Sequence, residues 1–349
     1  MTCAHAVRRY HRQNEETKDL TPRTNRDPTL MRLAVVGAGG MGSAFAAYLS
    51  RAGVDVVLIG RTAPHVDTIR TVGLRVEAAD GTSFTAHPEA TCRPGTLAAA
   101  SVDALVMLTK SFDTEQAASA CGHLLRDDAV AVSLQNGLGN DETLARVFGR
   151  ARSLPGVTTV GAKLHEPGRI TVSPSTAVGA SLSHIGPPAI EDPREALRLA
   201  ADLAAVLTGA DLPTLAKPDA LLDIWGKLAL AVMGPASAVL RRTVGDTWAQ
   251  PDARLLIRDM FDEVVAVAHA EGVPLDADAA WQHAVRTYEG TGRHMTSMCT
   301  DIVKQRRTEI DAMAGEVARR GDRHGVPVPV HHAVVRMVRT LEATYDAAL

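Results

Sequence analysis

Met31-Arg-Leu-Ala-Val-Val-Gly-Ala-Gly-Gly-Met-Gly-Ser43 is the stretch whose reading decides the fold. An apolar run expected to form a strand leads into G-x-G-x-x-G at Gly37, Gly39 and Gly42, and a helical pattern follows from Ala44 to Ser50. Strand, glycine-rich turn and helix in that order are the context in which this motif binds a dinucleotide. Gly37 permits the tight turn. Gly39, lacking a Cβ, lets backbone approach a pyrophosphate, and Gly42 lets helix and strand pack closely. The helix N-terminus then offers unpaired N–H groups and partial positive charge to the phosphates.

The next apolar run, Asp55-Val-Val-Leu-Ile-Gly-Arg61, indicates which dinucleotide. An NAD site usually carries Asp or Glu at the end of this strand to hold the ribose 2′-hydroxyl. Here the strand ends in Gly60-Arg61. A planar guanidinium suits a 2′-phosphate, so NADP(H) is the expected cofactor. The plainer alternative for Arg61 is a solvated residue starting a helix.

Strand and helix patterns alternate from Met31 to about residue 215. Further strands are expected at Asp103–Lys110 and Ala129–Gly137, helices at Asp113–Leu125 and Asp141–Phe148, and a hairpin over Leu74–His87 turning at Asp80-Gly81. This alternation predicts a Rossmann-type, doubly wound α/β domain with a parallel sheet, whose ligands lie beyond the carboxyl ends of the strands. Lys110 and Asn136 stand at two of those ends, although a loop lysine and a turn asparagine would look the same. After Pro213 and Pro218 the pattern becomes helical: Asp219–Leu240, Arg254–Glu271, Leu275–Thr287, Met298–Arg320 and His331–Ala348. The expected organisation is a disordered extension over 1–30, a cofactor-binding domain over 31–215 and an all-α catalytic domain over 216–349.

Composition narrows the function classes. The chain has 349 residues, 46% of them hydrophobic, and a formal net charge of -3. The charge leaves no electrostatic footprint for nucleic acid, and no uncharged apolar run reaches the roughly 18 residues of a membrane span. Residues 1–30 are polar, with no apolar h-region of a secretory signal. Cys3, Cys92, Cys121 and Cys299 are scattered without metal-ligand spacing, which fits a reducing cytoplasm and predicts no metal. A small-molecule substrate, no nucleic acid or membrane partner, and a monomer or homodimer are expected.

Two charges look misplaced in the helical half. Lys227 lies in Leu221-Leu-Asp-Ile-Trp-Gly-Lys-Leu-Ala-Leu-Ala-Val-Met233, a run that should be largely buried. Such a lysine must snorkel, pair, or lower its pKa, and the pattern alone leaves these open. Glu309, in Ser297-Met-Cys-Thr-Asp-Ile-Val-Lys-Gln-Arg-Arg-Thr-Glu-Ile-Asp311, taken alone is a solvated helix residue.

The ordered set of motifs resembles the ketopantoate reductase (2-dehydropantoate 2-reductase) family. The matching pieces are G-A-G-G-M-G at 37–42, Arg61, T-K at 109–110, L-Q-N-G-L-G at 134–139, G-V-T-T-V-G-A at 156–162, W-G-K-L at 225–228 and S-M-x-x-D-I-x-x-x-R-x-T-E-I-D at 297–311. The resemblance spans Met31 to the end and implies the same two-domain fold. It implies that Gly37, Ala38, Gly39, Gly40, Met41 and Gly42 hold the pyrophosphate and Arg61 the 2′-phosphate. Lys110 would lie near the adenosine, Asn136 near the nicotinamide and substrate, and Ala162 and Glu309 would also border the cofactor. Lys227 resembles the family's catalytic lysine, Glu309 its motif glutamate, and Ser297 the hydroxyl that meets the substrate carboxylate.

The implied reaction is NADPH-dependent reduction of a 2-oxo acid to a 2-hydroxy acid, by default ketopantoate to pantoate in pantothenate biosynthesis. Lys227 would stabilise charge developing on the carbonyl oxygen and deliver the proton. The family's pocket asparagines are replaced by Ala231, Gly234, Val244 and His294. That loss favours a larger, more apolar pocket, lined by Ala231 and His294 beside Lys227. A bulkier apolar 2-oxo acid or a C=N bond are therefore alternative substrates. A catalytically silent NADPH sensor is the alternative of another class, disfavoured because both Lys227 and Glu309 are kept.

Overall fold

A computed structural model describes residues 31–78, 81–173 and 183–346. The expected disordered extension at 1–30, the hairpin residue Asp80 and the end of the last expected helix at Ala348 lie outside these. The chain divides into two compact units, one running to Gln135 and resuming over Asn140–Ala220, the other comprising Asn136–Gly139 and everything from Leu221.

In chain order the first unit contains β1 (Arg32–Val36), α1 (Gly40–Arg51), β2 (Asp55–Ile59), α2 (Ala63–Thr71), β3 (Leu74–Ala78), β4 (Ser83–Ala86), β5 (Glu89–Thr91), β6 (Val102–Met107), α3 (Thr114–Cys121), β7 (Leu125–Ser133), α4 (Asn140–Phe148), β8 (Ser153–Leu154), β9 (Gly156–Thr158), β10 (Gly161–Glu166), β11 (Arg169–Ser173), β12 (Ser183–Ile185), α5 (Arg194–Gly209) and β13 (Thr214–Ala216). Six strands form one sheet in the order β5-β2-β1-β6-β7-β8, and every pairing in it is parallel. Its central strands are apolar on both faces, as a parallel sheet covered by helices requires. Leu33, Val35, Val56, Leu58, Ala104, Val106, Val130 and Val132 join one core, while Ala34, Val36, Val57, Ile59, Leu105, Met107 and Ala131 join the other. Phe45 and Leu49 of α1 are fully buried in the first of these.

The expected hairpin is present: β3 and β4 pair antiparallel from Leu74↔Ala86 to Glu77↔Ser83. They belong to a second sheet, β10-β11-β3-β4, and β13-β12-β9 forms a third. The strands that join this hairpin or form the third sheet, β9 to β13, were not singled out in the sequence. β9, β12 and β13 have only three residues each, too few for a period-two pattern to register.

The second unit continues with α6 (Ala220–Leu230), α7 (Met233–Leu240), α8 (Val244–Trp248), α9 (Pro251–Ala270), α10 (Ala277–Thr291), α11 (Ser297–Val303), a π-helical turn (Asp311–Gly315), α12 (Glu316–His324) and α13 (Pro329–Ala343). Among the described residues beyond Ala216 there is no strand. By length and composition the segment Ala220–Leu240 is apolar enough to cross a membrane, but more than half of it is buried.

Two expected helices are broken. The run Asp219–Leu240 divides into α6 and α7 because Pro235 has no N–H and its ring crowds the carbonyl of Ala231. The Gly234 N–H therefore turns to Ala231 O at 2.8 Å, which strips Leu230 O of its helical partner. Tyr288, 3% exposed, donates its hydroxyl to Leu230 O at 2.7 Å. It also engages the Met233 backbone, and burial raises its pKa. The run Met298–Arg320 stops at Val303. Gln305 adopts φ 51°, and Arg306 N–H closes back on Asp301 O at 2.8 Å. This is a left-handed helix ending built without glycine, so no residue in the sequence announces it.

Tyr288→Phe should leave Leu230 O buried without a donor and lower stability by about 1–3 kcal/mol. Chemical denaturation measures this, and an unchanged midpoint would mean that another donor replaces the hydroxyl.

Candidate active site

In the first unit the glycine motif forms a cradle. Gly37 sits at φ 114°, and its N–H donates to Ile59 O at 2.8 Å. A Cβ there would come within 2.6 Å of the Leu108 and Thr109 backbone. A Cβ at Gly42 would fall on the Gly37 carbonyl oxygen, and one at Gly40 would lie 2.5 Å from Ala162 O. At Gly39, by contrast, a Cβ meets nothing within 4 Å. The first turn of α1 carries no acidic residue. Glycines that close the turn, open backbone at Gly39 and N–H groups at the start of α1 fit a dinucleotide pyrophosphate. Ala38 and Met41 are half-buried within this turn, and Ala162 reaches it from β10.

The helix carrying the cradle is fixed by a contact the sequence did not announce. Gly168 N–H donates to His65 Nδ1 at 2.9 Å, so the His65 proton sits on Nε2 and is donated to Ser43 Oγ, also at 2.9 Å. His65 is 2% exposed, and burial lowers its pKa, keeping the ring neutral. Gln135 is a second such residue. Its Nε2 donates to Thr109 O and Thr114 Oγ1, each at 2.8 Å, tying together the chain beyond the carboxyl ends of β6 and β7. A glutamine directly after the apolar run Ala129–Leu134 was the available signal.

Arg61 follows β2 directly beside the cradle, since a Cβ on Gly60 would lie 2.6 Å from Ala38 Cβ. Its side chain is 77% exposed and its Nη1 donates to Asp113 Oδ1 at 2.8 Å. Lys110 is half-buried, three residues beyond the end of β6.

The second unit brings three of the expected residues together. Lys227 Nζ donates to Asn136 Oδ1 at 2.8 Å. Burial lowers the Lys227 pKa to about 8, and Glu309 acts in the opposite sense by attracting the proton. Glu309 is 6% exposed. It is not the solvated helix residue that its sequence neighbours suggest, for it precedes the π-helical turn, where its carbonyl accepts from Met313 N–H at 3.1 Å. Nor does Asn136 belong to the first domain, as the expected boundaries had it. Gly137, at φ 83°, lies so close to Ala312 that a Cβ would fall on that carbonyl oxygen, and Leu138 N–H donates to Ala312 O at 2.8 Å.

The replaced pocket positions separate. Ala231 keeps some surface one helical turn beyond Lys227. Gly234 and Val244 are buried in the helical unit, and Val244 N–H donates to His294 O at 2.8 Å. His294 and Ser297 are exposed, Ser297 as the first residue of α11.

Comparison with known proteins places this architecture. The family model for ketopantoate reductase PanE/ApbA matches residues 33–181, and the model for its C-terminal part matches residues 219–342. The chain belongs to the ketopantoate reductase family. It is 31% identical over 310 residues to the 2-dehydropantoate 2-reductase of Halobacterium salinarum, covering 88% of this chain and 98% of that one. The crystal structure of a PanE/ApbA family ketopantoate reductase from Ralstonia eutropha JMP134 superposes with a TM-score of 0.79 at 30% identity, covering 90% of this chain and 99% of that one. D-mandelate dehydrogenase, solved with NADH and anilino(oxo)acetate, shares the fold at a TM-score of 0.82 and 24% identity, over 91% and 100% of the two chains.

Gly42→Ala should abolish measurable nucleotide binding, because the new methyl and the Gly37 carbonyl cannot share one position. Gly39→Ala should fold normally and lose affinity only by crowding the ligand. Fluorescence titration with NADPH separates the two, and unchanged binding in Gly42→Ala would contradict the cradle geometry.

Proposed function

We propose that this ketopantoate reductase family member reduces the carbonyl of a 2-oxo acid to a 2-hydroxy acid with NADPH. The observation that carries the reading is Lys227, held by Asn136 with Glu309 acting on it and with a pKa brought to about 8. The cradle at Gly37–Gly42, with Ala162 and Lys110, would hold the cofactor and Arg61 its 2′-phosphate. A bound reduced nicotinamide supplies hydride to the carbonyl carbon. Lys227 hydrogen-bonds the carbonyl oxygen, stabilises the negative charge that grows there and gives up its proton to form the hydroxyl. Asn136 fixes the direction of the ammonium. Glu309 keeps the ammonium protonated against the cost of burial.

A lysine with a pKa about 8 remains mostly charged at neutral pH, yet is a far stronger acid than a solvated one near 10.4. Reduction needs the protonated form, so kcat should hold below pH 8 and fall about tenfold per unit above it. Glu309→Gln removes the influence that raises the pKa, and the falling limb should move to lower pH. Lys227→Ala should lower kcat by about 10² or more while NADPH still binds. A limb that stays in place in Glu309→Gln, or near-normal turnover in Lys227→Ala, would contradict these roles. A silent sensor would show no turnover on any 2-oxo acid.

Arg61→Ala should weaken NADPH more than NADH, as expected for a lost charge-assisted contact to the 2′-phosphate. Equal affinity of the unmodified chain for the two cofactors would remove the basis for preferring NADPH.

Ketopantoate is the reference substrate. Ala231, beside Lys227 in place of an amide, favours an acid with a larger apolar side chain. Each missing hydrogen bond is worth about 1 kcal/mol, and each methylene buried instead about 0.8 kcal/mol. Side-by-side kcat/KM for ketopantoate, phenylpyruvate and 2-oxoisovalerate should therefore favour one of the latter two. A clear preference for ketopantoate would show that other groups supply the polar contacts.

A further inference from the structure

We infer that Asp113, through its ion pair with Arg61, sets how strongly this chain prefers a 2′-phosphorylated nucleotide, an assignment that rests on the NADPH reading above. Sheet order places the two residues on either side of the cradle. β1 lies between β2 and β6, and the glycine cradle opens at its carboxyl end. Arg61 follows β2 and Asp113 follows β6. Their bond, 2.8 Å from Nη1 to Oδ1, therefore spans the chain ends on either side of the cradle strand, where the adenosine ribose of a dinucleotide sits in this fold class.

Asp113 stands immediately before α3, where an aspartate commonly accepts a bond from its own helix. It makes no such capping bond. Its carboxylate, 19% exposed, turns instead to a guanidinium 52 residues away in sequence. The acid that an NAD-binding strand would carry at its own end is here supplied from β6, two strands away across β1. Two opposed readers of the ribose 2′ position result. Arg61 attracts a phosphate. Asp113 repels that phosphate, competes for the same N–H groups, and can accept a hydrogen bond from an unphosphorylated 2′-hydroxyl.

The test is calorimetric titration with adenosine 2′,5′-bisphosphate and with 5′-AMP, which needs no turnover and reads the 2′-phosphate alone. Asp113→Asn should tighten the bisphosphate about two- to fivefold, the span of an exposed ion pair, and leave 5′-AMP unchanged or weaker. The gain should disappear in an Arg61→Ala background if competition for the guanidinium is its source, and should shrink at high salt. If the unmodified chain binds the bisphosphate no better than 5′-AMP, the NADPH reading fails and this assignment falls with it. If the chain discriminates between them but Asp113→Asn leaves their ratio unchanged, the assignment alone is wrong, and the pair is an ordinary surface contact.

Discussion

The hydrogen bond from Lys227 Nζ to Asn136 Oδ1 is the interaction on which the proposed chemistry rests, and irregular backbone in the helical unit brings its two partners together. One partner rides on α6, which Pro235 ends early, and Tyr288 satisfies the carbonyl that this break exposes. The other partner comes from a four-residue loop, Asn136–Gly139, captured by the helical unit. Its capture uses the π-helical turn. Gly315 N–H bonds Ile310 O, five residues back, and Ala312 O meanwhile receives Leu138 N–H. Such turns concentrate at functional positions because they redirect a carbonyl that a regular helix would use internally. Glu309 enters immediately before the same turn. Lys227, Asn136 and Glu309, the proposed proton donor, orienting amide and tuning carboxylate, thus lie beside one small set of backbone irregularities.

The first unit meets a different demand of the proposed function, the close approach of a charged ligand to backbone. Its solution is volume. Glycines at 37, 40 and 42 each stand where a methyl would strike main chain, whereas Gly39 faces open space. The His65–Ser43 bond fixes α1 at its first turn with a neutral ring. Arg61, the cation proposed to meet the ribose 2′-phosphate, is paired with Asp113.

What the sequence disclosed and what it hid follow from physical range. The parallel sheet was legible because its central strands are apolar throughout, and the cradle because glycine spacing between strand and helix is a local signal. Lys227 stood out as a charge in an apolar run, and the family resemblance put Asn136 near the nicotinamide and Glu309 at the site, while the bond between Lys227 and Asn136 emerged only from the structure. The breaks were harder. Pro235 was visible, yet the tyrosine that compensates for it lies 58 residues away from Leu230. The left-handed turn at Gln305 carries no glycine. Glu309 looked solvated because its charged sequence neighbours are exposed, while its own burial comes from tertiary packing. Asp113 was read only as a helix start. Its bond to Arg61 depends on strand order, which no local pattern contains.

The central claim is that Lys227 is a proton donor poised near neutrality by opposed forces, burial lowering its pKa and Glu309 raising it. Titrating the Lys227 ammonium by NMR in protein labelled at lysine Nζ measures this directly, with Lys227→Arg identifying the resonance. The account predicts a midpoint about 8 in the unmodified chain and a lower one in Glu309→Gln. A midpoint near 10.4, the value of a solvated lysine, would contradict it.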